Sequence, residues 1–340
     1  MTLRTRTIAI ALALGLLLGL GATSAQSQDR LTMRIATAAN PADYHAGALY
    51  VFKEYLERAV PGRFNVEIYP SASLFQQGTE PAALQRGNLE ATLLSAQDIS
   101  RQVAPVSALT AGYLVRDPAH LCEIWSGDVG TELKSLVADE MGIQILEVFY
   151  LGTRQLTMRR PIDVQTPADL AGVKLRMPDS QAWLFLGNAL GADATPLAFG
   201  ELYLALQTGT VDGQDNPLPS VVVNKFYEVS QQVILTSHLV DGVLFAISDT
   251  FWNRLDASEQ QIMRDASRAA ALFNNLNRIR AEREVVEYLE GQGLSVVTPD
   301  VNAFRETVQD AYLNSSFSDT WLPGFVDTVN ALEPRSACQF

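Results

Sequence analysis

Short strand-like runs alternate with helical segments along nearly the whole chain, and this order constrains the fold more than any other feature. Leu31–Thr37 reads as a buried strand, and Tyr44–Ala59 follows with helical spacing at Leu49, Phe52, Tyr55 and Leu56. Pro61-Gly62 breaks that helix, and Phe64–Tyr69 alternates as a strand. A short helix over Glu80–Arg86, a strand at Ala91–Leu94, a helix over His120–Met141 and a strand at Ile143–Val148 continue the pattern. Thr166 then caps a short helix with Pro167 at its first position and Asp169 at its third. Val173–Met177, Gln181–Leu190, Phe199–Thr208 and Val243–Ser248 read as strand, helix, helix and strand. Such alternation implies an α/β fold with mainly parallel sheets. Ala257–Gly291 is a helical stretch of 35 residues with no Pro and with Gly only at its end. That exceeds an ordinary globular helix, so it is expected to kink or to bridge two domains. Val301–Tyr312 reads as a final amphipathic helix. A length of 340 residues suits two domains at roughly 150 each.

The first 25 residues carry Arg4 and Arg6, an apolar run from Ile8 to Ala22, and small residues Thr23-Ser24-Ala25. This is the three-part pattern of a secretory signal peptide, with cleavage expected near Ala25. The run is shorter than the ~20 residues that span a bilayer. No Cys follows it to carry a lipid anchor, and no later stretch is long and apolar enough to span, so a soluble, exported mature chain is expected. The formal net charge is −13, and removal of the two leader arginines makes the mature chain more acidic still. A chain of that charge has no basic face to neutralise phosphates, which argues against nucleic-acid binding. A small anion would have to be held by locally placed arginines.

Two cysteines, Cys122 and Cys338, are too few for a disulfide scaffold, and no CxxC suggests zinc or redox chemistry. An exported chain can pair them, closing a loop that the chain-entropy model values at up to ~5 kcal/mol. The alternative is two free buried thiols, and the bridge is only slightly favoured.

The sequence lacks GxSxG, HExxH and GxxxxGK[ST], and its glycine-rich stretch at 15–21 lies in the leader. The positive signal is basic. Arg154 sits beside a Gly-Thr turn after the strand Ile143–Val148, and Arg176 sits near the C-terminal end of an apolar strand. Ligands of open α/β sheets bind beyond such ends. A guanidinium there can take a carboxylate through two parallel hydrogen bonds, which Lys cannot do. The alternative for Arg176 is a structural pair with an acid. Residues 208–217 (TGTVDGQDNP) hold two turn-forming dipeptides, Asp212-Gly213 and Asn216-Pro217. Asn216 suits a bridge between ligand and Arg, or equally an Asx-turn.

Taken together, GTRQ at 152–155, PADLAGVKLRMP at 167–178, GADATPLAFGELYLALQTGTVDGQDNP at 191–217 and NKFYEVSQQVILTSH at 224–238 are specific. With them, the chain resembles the solute-binding receptors of TRAP (tripartite ATP-independent periplasmic) transporters of the dicarboxylate and sialic-acid type. The resemblance spans nearly all of the mature chain. It implies a two-lobed periplasmic-binding fold with a hinge and a long bridging helix. The lobes would be 26–151 with 242–280, and 152–241 with 281–340. It implies that Arg176 grips a substrate carboxylate, that Arg154 adds a contact, and that Asn216 helps to hold Arg and ligand. Phe199 and Asp179 match pocket-lining positions, Gln97 a polar contact from the first lobe, and His238 a position near the hinge. Sialic-acid members often carry Asn where Asp179 stands here, which argues against sialic acid. The function implied is capture of a small organic acid in the periplasm and delivery to TRAP membrane permease subunits. A non-enzymatic monomer without metal or cofactor is expected. A periplasmic receptor for a membrane signalling protein, or an exported enzyme, are the alternatives.

Overall fold

The computed structural model describes residues 30–333, so the leader segment and Cys338 lie outside the described residues. Nine strands join in one sheet among these residues. They are β1 (Leu31–Ala36), β2 (Phe64–Tyr69), β3 (Ala91–Ser95), β4 (Ile143–Met158), β5 (Lys174–Met177), β6 (Asp193–Pro196), β7 (Gly213–Pro217), β8 (Gln232–Ser248) and β9 (Ser295–Val297). Their order is β2-β1-β3-β8-β4-β7-β5-β6, with β9 beside β8.

The helices are α1 (Tyr44–Ala59), α2 (Glu80–Gln85), α3 (Ala96–Ile99), α4 (Pro118–Ser126), α5 (Asp128–Met141) and α6 (Gln181–Ala189). They continue with α7 (Leu202–Thr208), α8 (Leu218–Val223), α9 (Asp249–Trp252), α10 (Ala257–Gly291), α11 (Val301–Leu313) and α12 (Phe325–Asn330). The single helix expected over His120–Met141 is two. Asp117 caps the first with Pro118 at its first position, and extended backbone at Gly127 ends it and starts the second. The short helix after Thr166 is a 3-10 turn over Pro167–Leu170, held by a reciprocal bond pair between Thr166 and Asp169.

Parallel pairing holds only at the two ends of the sheet. β1 runs parallel to β2 and β3, and β5 runs parallel to β6 and β7. The centre is antiparallel: β8 pairs with β3 and β4, and β4 with β7. The expectation of mainly parallel sheets therefore fails at the centre, where two strands of 16 and 17 residues run the length of the molecule. One half of each belongs to the β1–β3 block and the other to the β5–β7 block. Their register shifts between Tyr150 and Gly152, opposite Gly242 and Asp241. Gly152 has φ +128°, and a Cβ there would lie 2.6 Å from Pro217 Cβ, so the crossing point requires glycine.

Each half has its own core. Met33, Leu49, Phe52, Phe245 and Met263 pack on one face of the first, with Phe52 edge-on to Phe245 at 4.8 Å between centroids. Leu206, Val211, Phe226, Val233 and Leu289 pack in the second. A third cluster runs along both, from Leu94 and Leu121 through Val148 and Leu156 to Met177 and Phe304. Helix α10 keeps its sequence-derived bounds, starts from a capping box of Asp256 and Glu259, and packs against α1 at one end and α8 and β9 at the other. It grips the crossing strand directly. Asn274 Nδ2 donates to Tyr150 O at 2.9 Å, Tyr150 N donates to Asn275 Oδ1 at 2.8 Å, and Thr153 N donates to Glu282 Oε1 at 2.6 Å.

Candidate functional site

Residues 213–217 form a strand, not turns. All five are buried between β4 and β5, where ladder hydrogen bonds override the local turn preference of Asp-Gly and Asn-Pro. Neither the turn nor the Asx reading of Asn216 survives. The strand sets Asn216 opposite Gln155 and Pro217 opposite Arg154, and it carries Asp215 inward.

Arg154 lies within β4 rather than after a turn. Its Nε donates to Asp241 Oδ2 at 2.8 Å, and its Nη1 donates to Asp215 Oδ2 at 3.1 Å and to Asp215 O at 3.0 Å. The guanidinium stacks 4.1 Å from the centroid of a Trp183 ring on α6. Burial works against its charge, but the two carboxylates outweigh burial and hold its pKa above the ordinary value. Burial likewise opposes the charge on Asp215, yet Arg154 and His238 hold that carboxyl below its usual range. His238 sits on β8 with Nε2 3.2 Å from Asp215 Oδ2 and Nδ1 2.7 Å from Thr236 Oγ1.

Arg176 differs. It is 1% exposed, third of the four residues of β5, and no Asp or Glu pairs with it among the described residues. Its Nε donates to Leu197 O at 2.9 Å and its Nη2 to Gln77 Oε1 at 3.3 Å, leaving Nη1 without a partner. Burial pushes its pKa down to about 9, and nearby Arg154 adds to the fall. The structural-pair alternative for Arg176 is therefore not what the fold contains.

Between the halves lies a cavity with about 770 Å³ of empty space, its open mouth included. Thr37, Asp43, Gln77, Glu80, Ser95 and Asp98 line it from the first half. Arg154, Trp183, Phe199, Asn216, Ser220 and Asn224 line it from the second, and Leu151 and Val243 from the crossing strands. Arg176 does not itself line it, but it touches two residues that do: it bonds Gln77 and lies 5.8 Å from the Phe199 ring centroid. Asn216 donates through Nδ2 to Gln214 Oε1 at 2.5 Å and keeps its carbonyl oxygen without a partner.

Thus Arg154, Arg176, Asn216 and Phe199 gather at one cavity, with His238 behind Asp215. His238, expected in the lining, does not reach it, and two further expected lining residues lie elsewhere. Asp179 is exposed at the turn into α6, and Gln97 is fully buried on α3; neither lines the cavity. Cys122 on α4 is disulfide-bonded, while Cys338 lies outside the described residues. Sequence reasoning missed Trp183, Glu80, Asp98 and the acids Asp215 and Asp241. Only the acid of DGQDNP, two positions beyond a Gly, hinted at any of them.

The family comparison decides what this geometry belongs to: residues 35–319 match the model described as bacterial extracellular solute-binding protein, family 7. The chain belongs to this family. A sialic acid-binding periplasmic protein, SiaP, of Vibrio cholerae serotype O1 is 30% identical over 85% of this chain and 89% of its own length. Among solved structures, a TRAP periplasmic solute-binding protein of Roseobacter denitrificans with bound 3-deoxy-D-manno-oct-2-ulosonic acid is 42% identical, with a TM-score of 0.87. That match covers 90% of this chain and all of the other. A second Roseobacter denitrificans receptor, with bound L-galactonate, is 28% identical with a TM-score of 0.82 over 88% of this chain and 98% of its own. This TRAP solute-binding protein shares their two-lobed fold, and the sheet crossing at Gly152 joins the halves. The family binds solutes for transport. No helix among the described residues is long and apolar enough to cross a membrane.

Proposed function

We propose that this TRAP receptor captures a small organic acid in the periplasm and delivers it to the membrane permease of its transporter. The observation that carries the reading is Arg176: a buried guanidinium at the cavity, without an acidic partner and with an unused Nη1. A buried cation in that state calls for a carboxylate from outside the chain. Arg154, fixed by Asp215 and Asp241, keeps its Nη2 for a second hydrogen bond, and the Asn216 carbonyl can accept from the ligand or from Arg. The relatives with bound 3-deoxy-D-manno-oct-2-ulosonic acid and L-galactonate support an acid as the solute.

The lobes are 26–151 with 242–280, and 152–241 with 281–340, with hinge positions near Leu151–Thr153 and Asp241–Val243. The mature chain begins after Ala25 and acts as a monomer, without catalysis. Calorimetric titration with an identified acid and with its neutral amide tests the reading. Binding of the acid alone is expected. Equal affinity for both removes the arginine clamp.

A further inference from the structure

The charges around the cavity leave room for one carboxylate and no more. Arg154 is already held by two acids, Asp215 and Asp241, and Arg278 is held by Asp43 at 3.2 Å. Arg176 alone among these three cations has no acid against it. The wall from the first half carries the opposite excess. Glu80 on α2 and Asp98 on α3 line the cavity at 4% and 7% exposure, and among the described residues neither has a cation in ion-pair range. Asp98 accepts from Ser95 Oγ at 2.7 Å. Burial pushes both carboxyls up, Glu80 to about 7, and the charge of Asp98 raises Glu80 further. A separate feature also awaits a ligand: Trp183 lines the cavity at 1% exposure, and its buried Nε1–H has no acceptor.

We infer that the cavity selects polyhydroxylated monocarboxylates, with Arg176 taking the one carboxylate and Glu80 and Asp98 binding ligand hydroxyls, and that it rejects the matching dicarboxylates. This rests on the carboxylate capture proposed above. A hydroxyl is both donor and acceptor, so it can give its proton to an unpaired carboxylate and accept from Gln77 or Trp183. Such bonds answer the cost of burying Glu80 and Asp98 outside any ion pair. A second carboxylate in the same place is desolvated against two acids that no cation pairs with among the described residues. An ammonium group in that place is the competing ligand chemistry.

The test is titration calorimetry on the mature protein with matched pairs that differ only in a terminal CH₂OH or carboxylate: L-galactonate against galactarate, and D-erythronate against meso-tartrate. The monocarboxylate is expected to bind at least tenfold more tightly in any pair that binds. The Glu80→Gln/Asp98→Asn double variant, checked for folding by circular dichroism, is expected to narrow that gap at least threefold. A dicarboxylate that matches or beats its partner overturns the inference while leaving carboxylate capture intact, as does a gap unchanged in the folded variant. Tighter binding of an amino acid, or silence from every pair, also overturns it. Binding of the neutral alditol in place of any acid removes the parent reading instead.

Discussion

Arg278 ties the two halves of the molecule to the strand between them, and replacing it with Met isolates that contribution. The side chain is 1% exposed on α10. Its Nη1 donates to Asp43 Oδ2 at 3.2 Å in the first half and its Nη2 to Ser220 Oγ at 2.9 Å in the second. Its Nε donates to Leu151 O at 3.0 Å, and Nη2 shares that oxygen. Met fills much of the aliphatic volume, so the loss is electrostatic rather than a cavity. Removing one partner of a buried pair costs ~3–5 kcal/mol. Asp43 retains His45, whose N lies 3.0 Å and Nδ1 2.9 Å from Oδ1, which places the expected loss near the low end. The assay is the urea midpoint at neutral pH with an unchanged slope. Adding Asp43→Asn, which keeps the cap of α1, is expected to recover part of the loss. The pH dependence carries a sign. Burial opposes the charge on Asp43, but Arg278 and His45 outweigh it and hold its native pKa below the ordinary ~3.9. Its stabilising contribution is therefore full above about pH 4 and lost as pH falls through the lower native value. The Arg278→Met deficit must shrink in acid. A deficit under about 1 kcal/mol, or one independent of pH, refutes the reasoning.

Glu80 acts in a different window and with the opposite sign. Burial raises its native pKa to about 7, above the ordinary ~4.3, so it favours folding below pH 4.3 and loses that effect as pH rises toward 7. Glu80→Gln is expected to flatten the fall of the urea midpoint between pH 5 and 7; an unchanged slope assigns the fall to other groups. Ligand that contacts both lobes must bind the closed state better, so small-angle scattering is expected to show a smaller radius of gyration at saturation. An unchanged radius in a sample with calorimetrically confirmed binding rules out closure.

The ends of the molecule were more legible than its middle. Helix α10 shows its bounds because thirty-odd residues without a breaker sit between a capping box and a glycine. Arg176 could be read as strand-borne because Leu175 and Met177 flank it. The centre hid itself for a physical reason. Only Ile143–Val148 and Val243–Ser248 read as strands, while β4 and β8 each extend about ten residues further through Arg154, Gln155, Thr157, Thr236, His238 and Asp241. Those positions are polar because they build the network under the cavity, and buried polar residues erase the apolar alternation that marks a strand. The same holds for GQDNP in β7. The partners of Arg154 and Arg278 escaped notice because the pairs join residues 61, 87 and 235 positions apart, a separation that only the fold closes. Asp179 and Gln97 were placed by resemblance alone, and their surroundings here are solvent and core.

The most direct measurement of the central claim is the affinity of the mature protein and of its Arg176→Lys variant for one identified organic acid, taken in the same calorimeter at fixed salt. Lys keeps the charge and loses the planar fork, so the account predicts a loss of one charge-assisted bond, ~1.5–3 kcal/mol or roughly 10- to 150-fold in Kd. Near-native affinity in a folded variant would contradict it and make Arg176 a structural residue.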